Sequence, residues 1–557
     1  MSYRTAGLTR RATLGLGTAL AVTPALAQAG RAFAAPEPNT TGPDPFPQES
    51  PDRPGLEEAS LTDLQKALSS GLLSSVDLVR YYLSRIERLD RHGPTLGSVL
   101  ETNPDAIAQA RTLDEERRAG RLRHPLLHGI PVLLKDVVET ADRMHTTAGS
   151  LALLGARPAQ DATVAARLRA AGAVLLGKAN LTEWAGSEVT RVNGWSTRGG
   201  QCRNPYRLDR SPSGSSAGPA VAVSANLCSV AIGAETNGSI LSPAAVNGVV
   251  GLKPTVGLTS RAGVIPCSPT QDSIGPLCRT VADAAAVLGV IAGPDPRDAA
   301  SAAAVGHTRS DYTRHLDPDG LRGARIGVPR QVFFGYSSHA DAVAEQALRT
   351  LAAAGAILVD PADIPTAQEM ATAEAPGTVA LYESKHSFDS YLASTPGDHP
   401  RSLTELIAFN EQHAGQELRY FDQSPLKMVD TATDGDLTSE RYRKALADTR
   451  DMARTRGLDA VLAEHRLDAL VMPTWNPAWK IDYLNGDFYL GGSSGPASLA
   501  GYPAITVPAG TALSLPLGIT FTGPAWSEPV LLRLAYAFEQ RTRARTKPGL
   551  LPAETGL

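Results

Sequence analysis

Two turns rich in serine and glycine carry the side chains best suited to chemistry in this sequence. Residues 211–218 read Ser-Pro-Ser-Gly-Ser-Ser-Ala-Gly, and residues 233–240 read Gly-Ala-Glu-Thr-Asn-Gly-Ser-Ile. The segment 219–234 between them is small and apolar and has no formal charge, so we expect it to be buried with the two turns together at one edge of a core. Buried hydroxyls need partners, and these serines therefore require a structural or a chemical explanation.

Three interpretations compete for the turns. A glycine-serine loop can bind phosphate through its backbone N–H groups, but the P-loop spacing is absent and Lys253 is followed by Pro254. Residues 214–218 match G-x-S-x-G with Ser216 as nucleophile, but that motif needs a buried strand before it. The preceding residues 203–210 are polar and contain a proline. In the third interpretation two serines act together, one as nucleophile and one as proton relay, with a lysine as base.

A candidate base ends an apolar stretch upstream of the turns. Residues 130–135 read Ile-Pro-Val-Leu-Leu-Lys and predict a buried strand. A lysine at such a position usually extends to water. If Lys135 is buried instead, loss of hydration lowers its pKa and allows a neutral amine at working pH. Lys178 and Lys253 also adjoin apolar segments and are the competing candidates.

Taken together, these segments resemble the signature of the amidase signature family, the Ser-Ser-Lys amide hydrolases. The similar elements are Gly-Ser-Ser-x-Gly, then Thr-x-Gly-Ser-Ile, then Pro-Ala-Ala-Val-Asn-Gly-Val-Val-Gly-Leu-Lys-Pro-Thr. The resemblance implies that Ser239 is the nucleophile, Ser215 the bridging serine and Lys135 the base. It further implies a cis peptide bond before Ser215 and an oxyanion hole formed by the backbone N–H groups of Thr236, Asn237, Gly238 and Ser239.

The resemblance also assigns roles to the neighbouring residues. Lys178 and Lys253 are expected to be structural, because the family's lysine stands in the context of Lys135. For Ser216 we expect a hydroxyl bonded to nearby backbone. Asn237 departs from the glycine or aspartate that many members carry at this position.

The implied activity is hydrolysis of a carboxamide through an acyl-enzyme on Ser239. Residues 194–201, 229–236, 402–410 and 524–529 are similar to members that remove the C-terminal amide of peptides, giving the free acid and ammonia. An amidase acting on fatty acyl or aryl amides would have the same relay residues, as would one subunit of a tRNA-dependent amidotransferase. The alternative of another class is a non-catalytic exported binding protein.

Strand and helix patterns alternate through the region of the motifs, which favours an α/β fold. The resemblance implies a mixed β-sheet covered by helices on both faces, in one domain spanning 60–545. Its signature core covers about 125–290, and a mainly helical insertion covers about 364–466. Local patterns predict helices at 76–89 and 104–118, a helix start at 180–184 and a strand at 498–508, with a C-terminal tail at 546–557.

Two tryptophans follow a further predicted strand at 467–473. Trp475 and Trp479 could line a pocket in the loop after this strand, but we expect them to pack in the core.

The N-terminus has the pattern of a targeting segment. Arg10 and Arg11 precede an apolar run at 14–27, and Ala32-Phe33-Ala34 offers a cleavage site. We therefore expect residues 1–34 to be a twin-arginine signal peptide and 35–59 a flexible tail. The mature protein would be secreted or lie in a bacterial cell envelope, without stable membrane association.

Composition argues against several other classes. The net charge of −4 indicates no nucleic-acid partner. The four cysteines form no C-x-x-C pair and no H-E-x-x-H occurs, so we expect neither a metal nor a cofactor. A disulfide between Cys267 and Cys278 is possible, because an exported protein reaches compartments in which disulfides form.

Overall fold

A mixed sheet of eleven strands is the centre of the computed structural model, which describes residues 55–186 and 192–553. The strand order is β1-β3-β2-β6-β8-β7-β12-β13-β11-β9-β10, and a separate pair is β4-β5. Two groups, β3-β2-β6 and β11-β9-β10, are parallel, and the remaining pairs are antiparallel. The strands are β1 Val99–Thr102, β2 Pro131–Lys135, β3 Val174–Ala179, β4 Trp195–Ser196, β5 Gly200–Gln201, β6 Val230–Glu235, β7 Val250–Lys253, β8 Ser273–Cys278, β9 Arg325–Gly327, β10 Ile357–Val359, β11 Ala469–Pro473, β12 Ala504–Ala512 and β13 Leu515–Thr522.

The central strands are buried on both faces because helices cover the sheet on each side. Every residue of β2, β3 and β8 is buried, as continuous apolar runs in such sheets require. The α-helices are α1 Leu61–Ser69, α2 Ser75–Arg85, α3 Ala106–Arg118, α4 Thr163–Ala170, α5 Ala217–Ser224, α6 Leu241–Val246, α7 Val281–Ile291, α8 Ser338–Ala353, α9 Ala367–Thr372, α10 Glu374–Ser394, α11 Leu403–Gln412, α12 Ala414–Glu417, α13 Ser424–Ala432, α14 Glu440–Arg450, α15 Asp459–Glu464, α16 Ser494–Ala500 and α17 Glu528–Thr542. The predicted α/β fold with a mixed sheet is confirmed.

The predicted insertion is helical in the structure. Helices α9 to α15 follow one another between β10 and β11, with no strand in that described stretch. Glu383 on α10 connects this region to the core, because its buried carboxylate accepts a hydrogen bond of 3.0 Å from Thr270 Oγ1 and one of 2.6 Å from the Tyr442 hydroxyl of α14. The insertion is therefore fixed to the loop that precedes β8.

Two local predictions are wrong. Residues 498–500, predicted as the start of a strand, end helix α16, and Gly501 stops that helix at φ 69°. Small residues suit either state, so the left-handed glycine decides the boundary. The helix predicted to start at 180–184 is instead a short 3₁₀ turn, Glu183–Gly186, in which Trp184 and Ala185 have positive φ.

The ends of the described chain pack against the body. Leu56 and Ala59 are buried, although the sequence placed them in a flexible tail. At the other end, the Leu208 N–H donates to the Leu551 carbonyl at 3.0 Å, within the predicted C-terminal tail. The predicted signal peptide, residues 1–34, and residues 35–54 lie outside the described residues.

Helix α1 begins at a serine cap. Ser60 is its N-cap, and Ser60 and Asp63 form a reciprocal capping box. Across residues 55–186 and 192–553, none of the helices combines the length and the apolar character needed to cross a membrane.

Candidate active site

Lys135 is fully buried at the end of strand β2. Its Nζ lies 2.7 Å from Ser215 Oγ and donates to the Ala234 carbonyl at 3.1 Å. Loss of hydration lowers the pKa of Lys135 to about 8, and the nearby Asp272 and Glu235 carboxylates oppose that effect only in part. The amine is therefore neutral in a substantial fraction of molecules near pH 8, when it can accept a proton from Ser215.

The two serine turns lie against each other, as the sequence predicts. Ser215 lies two residues before helix α5, and Ser239 lies between β6 and α6. The Ser216 N–H donates to the Ser239 carbonyl at 3.1 Å, and the Ser242 hydroxyl donates to the Gly214 carbonyl at 3.0 Å. The peptide bond between Gly214 and Ser215 is cis, as the resemblance implied.

Close packing explains the glycine before Ser215. A Cβ atom on Gly214 would lie 2.2 Å from Thr182 Oγ1 and 2.3 Å from Asn193 Oδ1. Both distances are far below van der Waals contact, so any side chain at this position would displace the turn. The absence of a side chain at Gly214 therefore allows the backbone of this turn to pack closely against Thr182 and Asn193.

The backbone of residues 236–239 forms the tip of the turn after β6. The buried Glu235 carboxylate accepts hydrogen bonds from the Ile240 and Leu241 N–H groups at 2.7 and 2.9 Å, which folds the turn back over the end of its own strand. Gly238 adopts φ 84°, a conformation that favours glycine. Within the described residues, none of the N–H groups of Thr236, Asn237, Gly238 and Ser239 donates a hydrogen bond. These donors are available to a developing oxyanion.

Ser239 itself is half-buried at this tip. Its hydroxyl makes no hydrogen bond to a described residue, and Ser239 contacts the turn of Ser215 through its backbone carbonyl. The structure thus pairs Lys135 with Ser215 directly and places Ser239 on the adjoining turn.

The competing residues have structural partners. Lys178 Nζ donates to the Val138 carbonyl at 2.7 Å, and Lys253 Nζ donates to the Tyr502 carbonyl at 2.9 Å. Burial also lowers the pKa of Lys253 to about 8, but no serine hydroxyl is among its partners. The Ser216 hydroxyl donates to the Ala234 carbonyl at 3.1 Å, the backbone bond that we predicted.

Several residues of the site carry no signal in the sequence that singles them out. A small cavity beside Lys135 is bounded by Thr236, Cys267 and Asp272. The half-buried Asp272 carboxylate accepts from Thr236 Oγ1 at 2.6 Å and from the Cys267 N–H at 2.8 Å, and so connects the turn of residues 236–239 to the cavity wall. The sequence offers only a weak signal for Asp272, which is that its carboxylate stands directly before the buried strand β8.

Aromatic residues close the other side of the turn. A Cβ atom on Gly238 would lie 3.3 Å from the Trp475 ring and 3.0 Å from Ser494 Oγ, which donates to Asn237 Oδ1 at 2.7 Å. We expected Trp475 to pack in the core, but it is only half-buried and lies at the site.

All four cysteines are reduced in the structure, including Cys267 and Cys278. Burial raises the pKa of Cys228 to about 12, as expected for a buried thiol.

Comparison with known proteins identifies the family. A model of the amidase family matches residues 77–532. The chain belongs to the amidase family. It is 42% identical over 499 residues to a probable amidase from Arabidopsis thaliana, covering 88% of this chain and 92% of that one.

Two further relatives are found at similar coverage. The structure of the peptide amidase from Stenotrophomonas maltophilia superposes with a TM-score of 0.85 at 51% identity, covering 89% of this chain and 99% of that one. One subunit of the glutamyl-tRNA(Gln) amidotransferase from Chloroflexus aurantiacus is 37% identical, covering 88% of this chain and 98% of the relative. These matches support an amidase activity for this protein.

Proposed function

We propose that this protein hydrolyses the C-terminal carboxamide of peptides through an acyl-enzyme on Ser239, with Ser215 as relay and Lys135 as base. The observation that carries the proposal is the buried hydrogen bond of 2.7 Å between Lys135 Nζ and Ser215 Oγ. The lowered pKa of Lys135 supports its role, because a base acts only in its unprotonated form.

The proposed reaction begins with two proton transfers. Neutral Lys135 accepts the proton of Ser215 while Ser215 accepts the proton of Ser239, and Ser239 Oγ attacks the carbonyl carbon of the amide. The oxygen that becomes negative is stabilised by the N–H groups of residues 236–239, each contributing about 3 kcal/mol to lowering the barrier.

Collapse of the tetrahedral intermediate breaks the C–N bond. The proton held by Lys135 returns through Ser215 to the departing nitrogen, which leaves as ammonia. Water then attacks the ester carbonyl of acyl-Ser239 while the same relay removes its proton. The products are the free peptide acid and the regenerated serine.

The peptide substrate is supported by the similarity to the Stenotrophomonas enzyme, which covers almost the whole of that chain. Fatty acyl and aryl amides are the competing substrates within the same mechanism. Hydrolysis by this chain of a C-terminally amidated dipeptide, and not of a fatty acyl amide, is the expected result.

The test measures ammonia release from both amides with wild type and Ser239→Ala. Ser216→Ala is the matched control, since it removes a neighbouring hydroxyl that bonds to backbone. We expect Ser239→Ala to abolish release and Ser216→Ala to retain it. Release from the fatty amide alone would overturn the substrate assignment, and equal release by wild type and Ser239→Ala would overturn the nucleophile.

A trapping experiment separates catalysis from binding. An acyl adduct on Ser239, detected by intact mass after a substrate pulse, is expected for the enzyme. A folded protein that binds peptide amides without an adduct or turnover would favour the binding-protein alternative.

We further propose that the protein is exported as a folded chain. Arg10 and Arg11 before the apolar run support this proposal. Replacing both by lysine in a twin-arginine-competent bacterium should leave the protein inside the cell, while wild type is recovered outside the cytoplasm with an N-terminus at residue 35. Equal export of both forms would contradict the twin-arginine route.

A further inference from the structure

A short loop beside the site exposes an unusual amount of apolar surface. Within residues 484–490, four large apolar side chains are exposed: Leu484 at 91%, Phe488 at 64%, Tyr489 at 58% and Leu490 at 42%. Single exposed apolar residues are common, whereas a cluster of this kind marks a binding surface.

The loop reaches the proposed nucleophile through one aromatic ring. The Trp475 and Tyr489 rings lie 5.0 Å apart, between centroids, at 42°. The Trp475 ring in turn packs over Gly238, the neighbour of Ser239. Tyr489 is thus one ring removed from the turn on which the amide carbonyl would react.

Polar bonds hold the loop in this position. The Asp487 carboxylate accepts hydrogen bonds from Trp479 Nε1 at 2.6 Å and from the Asn193 N–H at 2.9 Å. Asn193 packs directly against Gly214, so the loop is connected to the turn of Ser215 as well. The Leu490 N–H also donates to Asn476 Oδ1 at 3.1 Å.

Close packing keeps the tryptophan in place. A Cβ atom on Gly492 would lie 2.1 Å from the Trp475 ring, so the backbone after the loop packs directly against the indole. The aromatic surface is therefore built on a rigid support, which limits the entropy lost when a substrate binds to it.

We propose that Trp475 and Tyr489 form an aromatic platform that binds the side chain of the residue bearing the scissile carboxamide. The enzyme would then favour peptide amides that end in an aromatic or large aliphatic residue. Burial of the exposed Tyr489 ring against such a side chain removes apolar surface from water and adds ring–ring contact. This inference rests on the proposed function, because it assumes that peptide amides are substrates.

The test compares N-acetylphenylalanine amide with N-acetylalanine amide. Their kcat/KM ratio is measured by ammonia release for wild type, Tyr489→Ala, Tyr489→Phe and Leu513→Ala. We expect the ratio to fall about three- to tenfold in Tyr489→Ala, the size of one aromatic packing contact. Tyr489→Phe keeps the ring and should keep the ratio.

Leu513→Ala is the control for removal of an exposed apolar side chain, since Leu513 is 78% exposed in the β12–β13 turn. Its ratio should equal that of wild type. Unchanged melting temperatures establish that each variant is folded.

The outcomes distinguish the two proposals. Turnover of neither amide by wild type would overturn the peptide-amidase function. Turnover of both amides, with the same ratio in wild type and folded Tyr489→Ala, would overturn the aromatic platform alone. Equal losses of kcat/KM on both amides in Tyr489→Ala would also overturn the platform. Tyr489 would then affect the catalytic site as a whole and not the binding of the substrate side chain.

Discussion

The pH dependence of the reaction is the most direct consequence of the buried lysine. Burial lowers the pKa of Lys135 from 10.5 to about 8, which corresponds to about 3 kcal/mol in favour of the neutral amine. Because the group is a cation when protonated, its active form increases as pH rises. At pH 8 about half of the molecules are neutral, against about 0.3% for an unperturbed lysine.

We therefore expect kcat/KM for a peptide amide to rise about tenfold per pH unit below pH 8 and to level off above it. The assay is initial-rate ammonia release between pH 5.5 and about pH 9.5, with activity re-measured at pH 8 after each incubation to detect inactivation. Lys135→Met should abolish turnover at every pH, because no other group bonds to Ser215 Oγ among the described residues.

Lys253 provides the control, since burial also lowers its pKa to about 8. In folded Lys253→Met, kcat/KM should still rise with pH below about pH 8, as in wild type; this rise is the acidic limb of the profile. The reasoning is refuted if kcat/KM is constant across the range, if the limb disappears in Lys253→Met, or if Lys135→Met remains active.

Three further predictions concern neighbouring groups. Ser216→Ala should lower the free energy of unfolding by about 1–3 kcal/mol, because the Ala234 N–H loses its acceptor at 3.3 Å. Denaturant unfolding measures this change. An unchanged denaturant concentration at the unfolding midpoint would contradict the prediction. Glu235→Gln should lower kcat about tenfold with little change in KM, because weaker hydrogen bonds from the Ile240 and Leu241 N–H groups loosen the turn of residues 236–239. Steady-state kinetics measure both constants. A change in KM alone would argue against this role. Asp487→Asn should reduce protection of the 484–490 loop in hydrogen exchange, since Trp479 and Asn193 lose a charged acceptor. A remote strand such as β8 should keep its protection. Equal protection of the loop in both proteins would show that the carboxylate does not hold it.

Local sequence was sufficient for the elements that carry the relay residues. Strand β2 was predicted at 130–135 and is Pro131–Lys135, because an apolar run bounded by polar residues has few alternatives to a buried strand. The uncharged segment 219–234 is buried up to residue 233, since it is mostly apolar and has no ionised side chain that would need water. The motif resemblance then distinguished Ser215, Ser239 and Lys135 from the other serines and lysines of these segments.

Where small residues permit two conformations, the sequence was ambiguous. The stretch 498–501 has no period that separates helix from strand, and its outcome depends on the left-handed Gly501 and on packing against the sheet. The 3₁₀ turn at Trp184 likewise depends on positive φ values that only tertiary contacts can enforce.

The sequence by itself determined the chemistry available to this protein: two serines in glycine-rich turns, a lysine at the end of an apolar strand and the family to which they belong. Only the tertiary structure decided that Lys135 bonds to Ser215 across 80 residues of chain, that Asp272 contacts the turn of residues 236–239, and that Trp475 lies over Gly238. The physical reason is that burial and periodicity act over a few residues and can be recognised locally. Contacts between distant segments depend on the order of the strands in the sheet and on the packing of loops at its edge, which no local pattern encodes.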